Sequence, residues 1–284
     1  MKALDFNKLA GDTPLDKLKS IWPTCNYIYA QEKINGVQIR MDNTIQSTRN
    51  GKVFPKNFFP EKFQAAFSHI PYGACLMGEL YIPNVPLATL AGAVNVNSAR
   101  LNPAYTDALQ IHVWDIHHWY EAPVNWQFEP RHNKLADVCN KLNTFYQVCP
   151  VKCYTSAEAE ALYQQLCKRP EAEGVIYHIP PALHFISDDV STDLIKRKRR
   201  HETEYPCIGV TEGKGKRQGL LGAFLLQTEK GVLKVGGGTG LTDEQLQHYY
   251  HNPPLGQPIT ISYEELSVNG LPLRAQFVSV RNYE

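Results

Sequence analysis

The apolar residues of this chain fall in short runs of strand length, and this pattern constrains the fold more than any other feature. Residues 74–82 and 109–116 are clear examples, and the pair Asn50-Gly51 marks a turn. No apolar run approaches the roughly 18 residues that a membrane-spanning helix requires. With 43% hydrophobic and 20% charged residues, the composition excludes a disordered tail, a collagen-like rod and a membrane bundle.

Strands dominate the predicted secondary structure of the chain as far as residue 197, with three amphipathic helices among them. Strands 37–40 and 44–47 form a predicted hairpin about Asp42-Asn43. Two further strands are predicted at 174–177 and 194–197. The predicted helices are 60–70, 131–146 and 156–169.

The pattern changes at residues 201–206 to short strands and glycine-rich turns. The predicted strands are 207–212, 219–228, 230–235, 258–266 and 271–280, and the predicted helix is 242–250. Asn269-Gly270 joins the last two strands as a two-residue turn. Five short strands with one inserted helix are typical of a small OB-like barrel, so we expect two domains, residues 1–202 and 203–284.

The cysteines and the amino terminus indicate where the protein resides. Seven cysteines are present, and none forms a CxxC pair; Cys149 and Cys153 come nearest, as CxxxC. We therefore expect reduced thiols and no structural metal. Residues 1–6 lack the apolar core of a signal peptide, which favours a cytoplasmic protein with no membrane partner.

The charge of the chain is nearly balanced, at +1, so the chain as a whole is not a polybasic nucleic-acid binder. Residues 196–200 are nevertheless five consecutive cations. Such a run is usually a solvated surface or a localisation signal. Because this run directly follows residues 193–195, which have the character of a strand, we expect it to meet phosphate instead.

Six short motifs follow one another along the first domain, each with a residue suited to nucleotide chemistry. They contain Lys33 (in Lys-Ile-Asn-Gly), Arg49, Glu79, Trp114, Glu173, and the pair Lys196 and Lys198. Each alone has a common explanation, such as core packing for the tryptophan or ion pairing for the carboxylates. A carboxylate in an otherwise apolar strand is costly to bury, however, and six such motifs in this order rarely arise together by chance.

These residue types match what transfer of a nucleotide to a lysine requires. A lysine becomes a nucleophile only after its ammonium loses a proton, which burial or neighbouring cations promote. Two carboxylates can hold the Mg²⁺ ions that neutralise a triphosphate. Cations can stabilise the charge on the α-phosphate, and an aromatic ring can stack on the base.

The motif series resembles motifs I, Ia, III, IIIa, IV and V of the covalent nucleotidyltransferases, which comprise DNA ligases, RNA ligases and mRNA capping enzymes. Residues 212–224, EGKGKRQGLLGAF, resemble the start of the OB domain in minimal two-domain ATP-dependent DNA ligases of bacteria and viruses. The resemblance covers about residues 25–281. It implies an α+β fold: an ATP-grasp-like nucleotidyltransferase (adenylation) domain of antiparallel sheets with flanking helices, then an OB-fold barrel.

The resemblance also implies a reaction and its cofactors. The expected activity is ATP-dependent sealing of 5′-phosphate/3′-hydroxyl nicks in double-stranded DNA through a lysyl-AMP intermediate, with ATP and Mg²⁺ (or Mn²⁺) as cofactors. We expect a monomer that closes around nicked DNA. Two alternatives stay open: an RNA ligase or capping guanylyltransferase of the same superfamily, and a non-catalytic OB-fold nucleic-acid binder.

The resemblance further assigns roles to the residues that match its motifs. Lys33 is the adenylated nucleophile. The nucleotide-binding residues are Gln31, Glu32, Ile34, Asn35, Gln38, Glu79, Trp114, Lys196 and Lys198. The nick-phosphate and DNA contacts are Arg40, Arg49, Lys214, Lys216 and Arg217; the metal ligands are Glu79 and Glu173; and Arg281 orients pyrophosphate. Either Gln31 or Glu32 reads the adenine edge, and the sequence does not decide between them.

Three positions depart from the family pattern. Motif I is usually KxDGxR, whereas Asn35 replaces the acid and Gln38 the arginine. An amide can still bond a ribose, but it lacks the bidentate grip of arginine on phosphate. Arg40, on the same side of the predicted strand, is a candidate substitute, while the amide at position 38 resembles the KxxGxN pattern of some RNA ligases. Of the terminal RxDK motif only Arg281 is present.

Overall fold

The computed structural model describes residues 2–21, 26–119, 122–123, 126–169, 172–180, 190–236 and 241–281. The chain divides into two compact units, residues 1–198 and 199–284. The predicted boundary after residue 202 lies inside the strand His201–Glu212, which pairs along its length within the second unit. The division therefore falls at 198/199 rather than at 202/203.

The first unit contains two sheets and five described helices. Its strands are β1 (Lys2–Asp5), β2 (Ile28–Ile34), β3 (Val37–Met41), β4 (Gln46–Thr48), β5 (Cys75–Tyr81), β6 (Gln110–Trp119), β7 (Ala122–Pro123), β8 (Tyr146–Gln147), β9 (Val151–Cys153), β10 (Ala172–His178) and β11 (Val190–Lys198). Its helices are α1 (Pro14–Lys19), α2 (Glu61–Ser68), α3 (Leu87–Ala93), α4 (Phe128–Leu142) and α5 (Ser156–Leu166).

The two sheets of the first unit meet in sequence at a very short connection. One sheet has the strand order β1-β11-β10-β2-β9, and the other has β4-β3-β5-β6-β7 with β8 beside β6. Only Asn35 and Gly36 separate β2 from β3, so the chain leaves one sheet and enters the other directly after Lys33. The pairings are antiparallel, as predicted, except that β1 is parallel to β11 and β8 is parallel to β6.

Each sheet of the first unit has its own apolar core. Leu18 of α1 and Ala159 of α5 pack with Ile28 and Ile195 of the first sheet. The second sheet packs against the other three helices, which contribute Phe63, Leu90 and Leu135 among other residues. Burying one such side chain contributes about 1.5–3 kcal/mol, so these two cores hold the strands that carry the predicted motifs.

The second unit contains seven strands and one helix in its described part. They are β12 (His201–Glu212), β13 (Leu221–Thr228), β14 (Gly231–Gly236), α6 (Asp243–His251), β15 (Pro258–Tyr263), β16 (Glu265–Leu266), β17 (Pro272–Leu273) and β18 (Gln276–Val280). The main sheet has the order β14-β13-β12-β15-β18. The long strand β12 pairs with β15 through its first half and with β13 through its second half. This arrangement, with an apolar centre that includes Phe224, confirms the predicted α+β class with an OB-like second domain.

Several details of the predicted secondary structure are wrong. The predicted helix 131–146 ends at Leu142, and Tyr146 lies in β8. Asn269-Gly270 does not form a two-residue hairpin, because β16 ends at Leu266 and β17 begins at Pro272, which leaves a longer loop. Helices α1 and α3 were not predicted, because at six and seven residues they are too short to display a helical period. In the part of the chain that the structure describes, no helix combines the length and the apolar character needed to cross a membrane.

Candidate active site

A cavity of about 1420 Å³ in the first unit collects most of the predicted site residues of that unit. Both sheets contribute to its lining, the first through β2 and β11 and the second through β3, β5 and β6. The predicted residues that line it are Gln31, Glu32, Lys33, Ile34, Gln38, Arg40, Arg49, Glu79, Trp114 and Lys196. Asn35, Glu173 and Lys198 do not line it, although the last two reach its edge through ion pairs.

Lys33 is held at the edge of this cavity by Glu173. The Lys33 ammonium donates to the Glu173 carboxylate, whose other oxygen receives Lys198 Nζ at 2.7 Å. Burial raises the pKa of the Glu173 carboxyl, but Lys33 and Lys198 more than offset this, so the pKa lies below its ordinary value. Glu173 is therefore a carboxylate between two lysines at neutral pH.

The Glu173 carboxylate reaches Lys33 because of an irregularity in the sheet. Ala172 pairs with Ile34 and Gly174 pairs with Lys33, which makes Glu173 an extra residue in β10, a β-bulge. Gly174 has φ +151°, and a Cβ at this position would lie 2.0 Å from the carbonyl oxygen of Arg197. Only glycine fits at position 174. The Glu-Gly pair therefore combines a carboxylate needed for the contact with Lys33 and a glycine needed by the backbone.

The glycine of the Lys-Ile-Asn-Gly motif has an equally direct explanation. A Cβ on Gly36 would lie 2.5 Å from the Leu80 carbonyl oxygen and 3.1 Å from the Glu79 Cβ. The chain therefore passes tightly against β5 as it leaves β2 for β3. This close approach fixes the distance between Lys33, just before the crossing, and Glu79, just beside it.

Glu79 is a carboxylic acid in an unusual setting. It lies opposite Gln38 in the β3–β5 pair. Its Oε2 is buried and, within the described ranges, has no hydrogen-bond partner. Burial raises the pKa of Glu79 to about 8, with a smaller contribution from Glu173, against the lowering effect of Lys33 and Arg49. Such an oxygen is suited to receive a cation or a hydroxyl group from a ligand.

Two further bulges lie in β6, and both aim side chains at the cavity. Val113 pairs with Gly78 while Asp115 pairs with Met77, so that Trp114 is an extra residue. His117 is extra in the same way, since it lies between the paired residues Ile116 and His118. Trp114 and His117 both line the cavity. Trp114 is half-buried there, as a ring that stacks on a base would be.

A buried ion pair supports the strand beside Trp114. Asp115 Oδ1 and Oδ2 accept from Arg131 Nε at 2.9 Å and Nη2 at 3.1 Å. Both side chains are only 2% exposed. The remaining Arg131 amine donates to the Trp126 carbonyl at 2.5 Å. This pair was not predicted as part of the site, although the sequence has an acid directly after Trp114.

Gln31 and Glu32 have different surroundings. The Gln31 side chain is buried, and its amide nitrogen donates to the carbonyls of Val148, at 2.7 Å, and Trp114, at 3.1 Å. Its oxygen accepts from His178 Nε2 at 3.1 Å. Glu32 instead forms an ion pair with the exposed Arg169. Gln31 thus ties the strands behind the cavity together, a role that requires partners far apart in sequence and that sequence reasoning missed.

The run of five cations does not form one surface. Lys196 lines the cavity and Lys198 pairs with Glu173. Arg197, between them, is 7% exposed and bonds Glu160 through two nitrogens, at 2.5 and 3.1 Å. The alternation follows from the strand, since successive side chains in β11 point to opposite faces. The expectation that the run follows the end of a strand is wrong, because β11 continues to Lys198.

The remaining predicted residues belong to the second unit. Lys214, Lys216 and Arg217 are exposed at a short 3₁₀ turn, Gly215–Arg217. Arg281 Nε donates to Glu204 Oε1 at 3.0 Å and to Thr260 Oγ1 at 2.9 Å. Residues 282–284, where the rest of the terminal motif would be expected, lie outside the described residues.

Comparison with known sequences supports a relation to DNA ligases. Residues 212–281 match the family described as "DNA ligase OB-like domain". A curated DNA ligase of Haemophilus influenzae is 28% identical over 118 residues. That match covers 41% of this chain and 41% of the relative, so the chain is matched over about two fifths of the relative's length.

Solved structures share the fold over nearly the whole chain. A structure from a study of Lig E DNA ligases has a TM-score of 0.67 at 24% identity, covering 91% of this chain and 93% of its own. The ATP-dependent DNA ligase of bacteriophage T7, solved with ATP, has a TM-score of 0.53 at 18% identity, with coverages of 99% and 98%. The Chlorella virus DNA ligase-adenylate has a TM-score of 0.52 at 17% identity, with coverages of 100% and 98%.

These comparisons agree with one another and with the geometry of the first unit. The domain-family match lies in the second unit, while the similarity of fold extends over both units. The fold alone would leave the chemistry open, but the matched domain family and the curated relative are both DNA ligases. Residues 212–281 carry a DNA ligase OB-like domain, and the chain resembles a DNA ligase over part of its sequence and the ATP-dependent DNA ligases in fold.

Proposed function

We propose that this chain is an ATP-dependent DNA ligase that seals nicks in duplex DNA through a covalent AMP on Lys33. The observation that carries the proposal is the Lys33–Glu173–Lys198 chain of charges at the edge of a nucleotide-sized cavity. The Lys33 side chain is 22% exposed. It is therefore accessible to a ligand and also held in one place.

In the first step, Lys33 Nζ attacks the α-phosphorus of ATP. The Lys33 ammonium first loses a proton to solvent. A phosphorus–nitrogen bond then forms, the bond to the bridging oxygen breaks, pyrophosphate leaves, and the nitrogen releases a second proton to solvent. The Glu173 carboxylate orients the lysine before this attack; because its pKa is depressed, it stays ionised and acts as a positioning residue. Lys196 lines the cavity, and in this proposal it stabilises the charge that develops on the α-phosphate.

A divalent cation fits the same site. Glu79 Oε2 is a buried carboxyl oxygen with no partner among the described atoms, and this group would give up its proton on binding the ion. Glu173 offers a second carboxylate near Lys33. Carboxylate oxygens are the ligands that Mg²⁺ and Mn²⁺ prefer, so these two residues would hold the ion. When bound, it would neutralise the charge of the triphosphate.

The base and the ribose are held by the rest of the cavity. Trp114 provides an aromatic face, and Gln31 keeps that strand attached to the sheet behind it through the Trp114 carbonyl. Glu32 and Gln38 supply polar groups at the lining. We propose that adenine lies against Trp114.

The second and third steps act on nicked DNA. An oxygen of the 5′-phosphate attacks the AMP phosphorus and frees Lys33, and the 3′-hydroxyl then attacks the activated 5′-phosphorus and releases AMP. Arg49, exposed at the cavity lining, and Arg40, which also lines the cavity, are suited to hold the 5′-phosphate. In the second unit, the exposed Lys214, Lys216 and Arg217 are suited to backbone phosphates of the duplex.

The test is covalent labelling by ATP radioactive in its α-phosphate, followed by a denaturing gel. The wild-type chain is expected to carry one AMP, Lys33→Ala none, and the control Lys62→Ala, an exposed lysine on α2, the wild-type amount. A heat-stable adduct on Lys33→Ala, or no adduct on the wild-type chain, would contradict the proposal. The second outcome is the one expected of a non-catalytic OB-fold binder.

The polynucleotide substrate needs a separate test, since Gln38 resembles a pattern of some RNA ligases. The assay uses nicked duplexes with DNA or RNA on either side of the nick, each with ATP and with GTP. It distinguishes a DNA ligase, an RNA ligase and a capping guanylyltransferase. We expect sealing of the all-DNA nick with ATP. Sealing of RNA ends alone would assign an RNA ligase, and labelling by GTP without sealing would assign a capping enzyme.

A further inference from the structure

A second cluster of reactive side chains lies in the same sheet. The donor atoms of Cys75, His117 and His118 all lie within 4.8 Å of one another. The Nδ1 atoms of the two histidines are 2.5 Å apart. Among the residues that the structure describes, no other three histidine, cysteine, aspartate or glutamate residues come this close.

The backbone has to be irregular for this cluster to form. Adjacent residues of a regular strand point to opposite faces of the sheet, yet the rings of His117 and His118 have centroids 4.3 Å apart. The bulge at His117 removes the alternation at this point, and Cys75 lies directly opposite His118 in the pairing of β5 with β6. A bulge interrupts the ladder of hydrogen bonds and re-aims a side chain, and here it brings two imidazoles to one thiol.

The donor set points to one class of ligand. One thiol and two imidazoles are soft and borderline donors, which favour Zn²⁺ over Mg²⁺ and other cations that bind through oxygen. With Zn–S near 2.3 Å and Zn–N near 2.0–2.1 Å, the donors of a tetrahedral site lie about 3.5 Å apart. The two Nδ1 atoms would therefore move apart by about 1 Å, which a small rotation of each ring achieves.

We propose that Cys75, His117 and His118 bind one Zn²⁺ ion through three protein ligands, with the fourth position open. The sequence predicted no structural metal because it lacks a CxxC pair, but these ligands come from two strands and from adjacent residues, a spacing that no short motif records. Two nearby charges have opposite effects on cation binding. The positive charge of Arg40 disfavours a cation near Cys75 and His118, whereas the negative charge of Asp42 favours one near Cys75.

The proposed zinc site adjoins the cavity but does not depend on the proposed ligase activity. His117 lines the cavity, whereas Cys75 and His118 do not. The ion would thus lie in the wall behind the nucleotide rather than among the phosphates. Because none of its three ligands takes part in the proposed ligation steps, the site and the ligase activity can fail independently of one another.

The test is titration of the reduced, metal-stripped full-length chain with Co²⁺, which takes the geometry of zinc and absorbs visible light. We expect one equivalent to bind, with the intense visible bands of a tetrahedral site and a sulfur-to-cobalt band in the near ultraviolet, and Zn²⁺ to displace it while Mg²⁺ does not. Cys75→Ser should remove the sulfur band, and His118→Ala should weaken binding at least about tenfold. The controls Cys149→Ser and His69→Ala, both exposed and outside the cluster, should match the wild-type chain.

A second measurement needs no variant and covers the case of a variant that does not fold. Zn²⁺ should protect Cys75, but not Cys149, from alkylation, as read by mass spectrometry of peptides after denaturation. Absence of a sulfur band in the wild-type chain, its survival in folded Cys75→Ser, or equal alkylation of Cys75 with and without Zn²⁺ would each overturn the proposal.

Discussion

The bulge at Glu173 makes a quantitative prediction for Gly174→Ala. A Cβ at this position would lie 2.0 Å from the Arg197 carbonyl oxygen and 2.8 Å from the Lys198 Cα, and both contacts are with backbone. Real Cβ atoms essentially never come closer than 3.0 Å, so β10 and β11 would have to separate locally by about 1 Å. The matched control is Gly51→Ala in the same unit, where φ is +79° and nothing lies within 4 Å of the added atom.

Both substitutions place an alanine at a positive φ, but only Gly174→Ala also displaces neighbouring backbone. A non-glycine residue at an unfavourable positive φ costs about 1–3 kcal/mol. Gly51→Ala should show only that cost, near its lower end, because φ +79° is close to the left-handed region. Gly174→Ala adds the displacement of two paired strands, and we expect a total of about 3–5 kcal/mol in the free energy of unfolding of the first unit, in the range of a severe core substitution.

The same displacement should also slow the adenylation of Lys33. Glu173 is the residue before Gly174, and a shift of about 1 Å in a catalytic group can lower a rate about 100-fold. Chemical denaturation gives the stability, and single-turnover labelling with ATP, below the melting temperature of the variant, gives the rate of adenylation. If Gly174→Ala is as stable as Gly51→Ala and is adenylated at the wild-type rate, the bulge does not position Glu173 as argued.

Three further results are expected. Asp115→Asn leaves the guanidinium of Arg131 buried with one partner lost, and should destabilise the first unit by about 3–5 kcal/mol in chemical denaturation; a cost below about 1 kcal/mol would contradict this. The Glu79 carboxyl has a raised pKa of about 8, so the folded state binds the extra proton and stability should fall as pH rises from about 5 to about 8; melting temperatures should show this in the wild-type chain and a flatter profile in Glu79→Gln. Arg49→Ala should leave adenylation of Lys33 nearly unchanged but slow nick sealing roughly 30- to 150-fold, the effect of one lost charge-assisted contact of about 2–3 kcal/mol; equal losses in both assays would place Arg49 at the nucleotide instead.

Sequence patterns predicted most of the longer strands and helices because these depend on local periodicity. Helix α2 has Phe63 and Phe67 four residues apart on its buried face, and β5 and β6 are runs of apolar residues bounded by turns. The site motifs could also be identified from the sequence, since Lys33, Glu79 and Trp114 each lie in a segment that forms a strand.

Contacts between residues distant in the sequence could not be predicted in the same way. Gln31 bonds His178 across 147 positions, and the carboxylate that accepts from Lys33 is 140 positions away. Neither residue type nor spacing distinguishes these partners from other polar residues. The fate of Arg197, buried against Glu160 although it lies in a run of cations, likewise depends on which face of β11 is covered.

The bulges explain why the site and the sequence pattern diverge most where the chemistry lies. In a regular strand, residues three apart point to opposite faces, yet Trp114 and His117 both line the cavity. Each bulge shifts the alternation by one residue, and one inserted residue changes neither the composition nor the apolar character of the strand. Glu173 follows the same rule in β10, where the extra residue is the one that meets Lys33. Without the bulges, the residues beyond them would point to the opposite faces of their sheets, so the positions at which the periodicity fails are those that allow the apolar cores and the proposed site to form together.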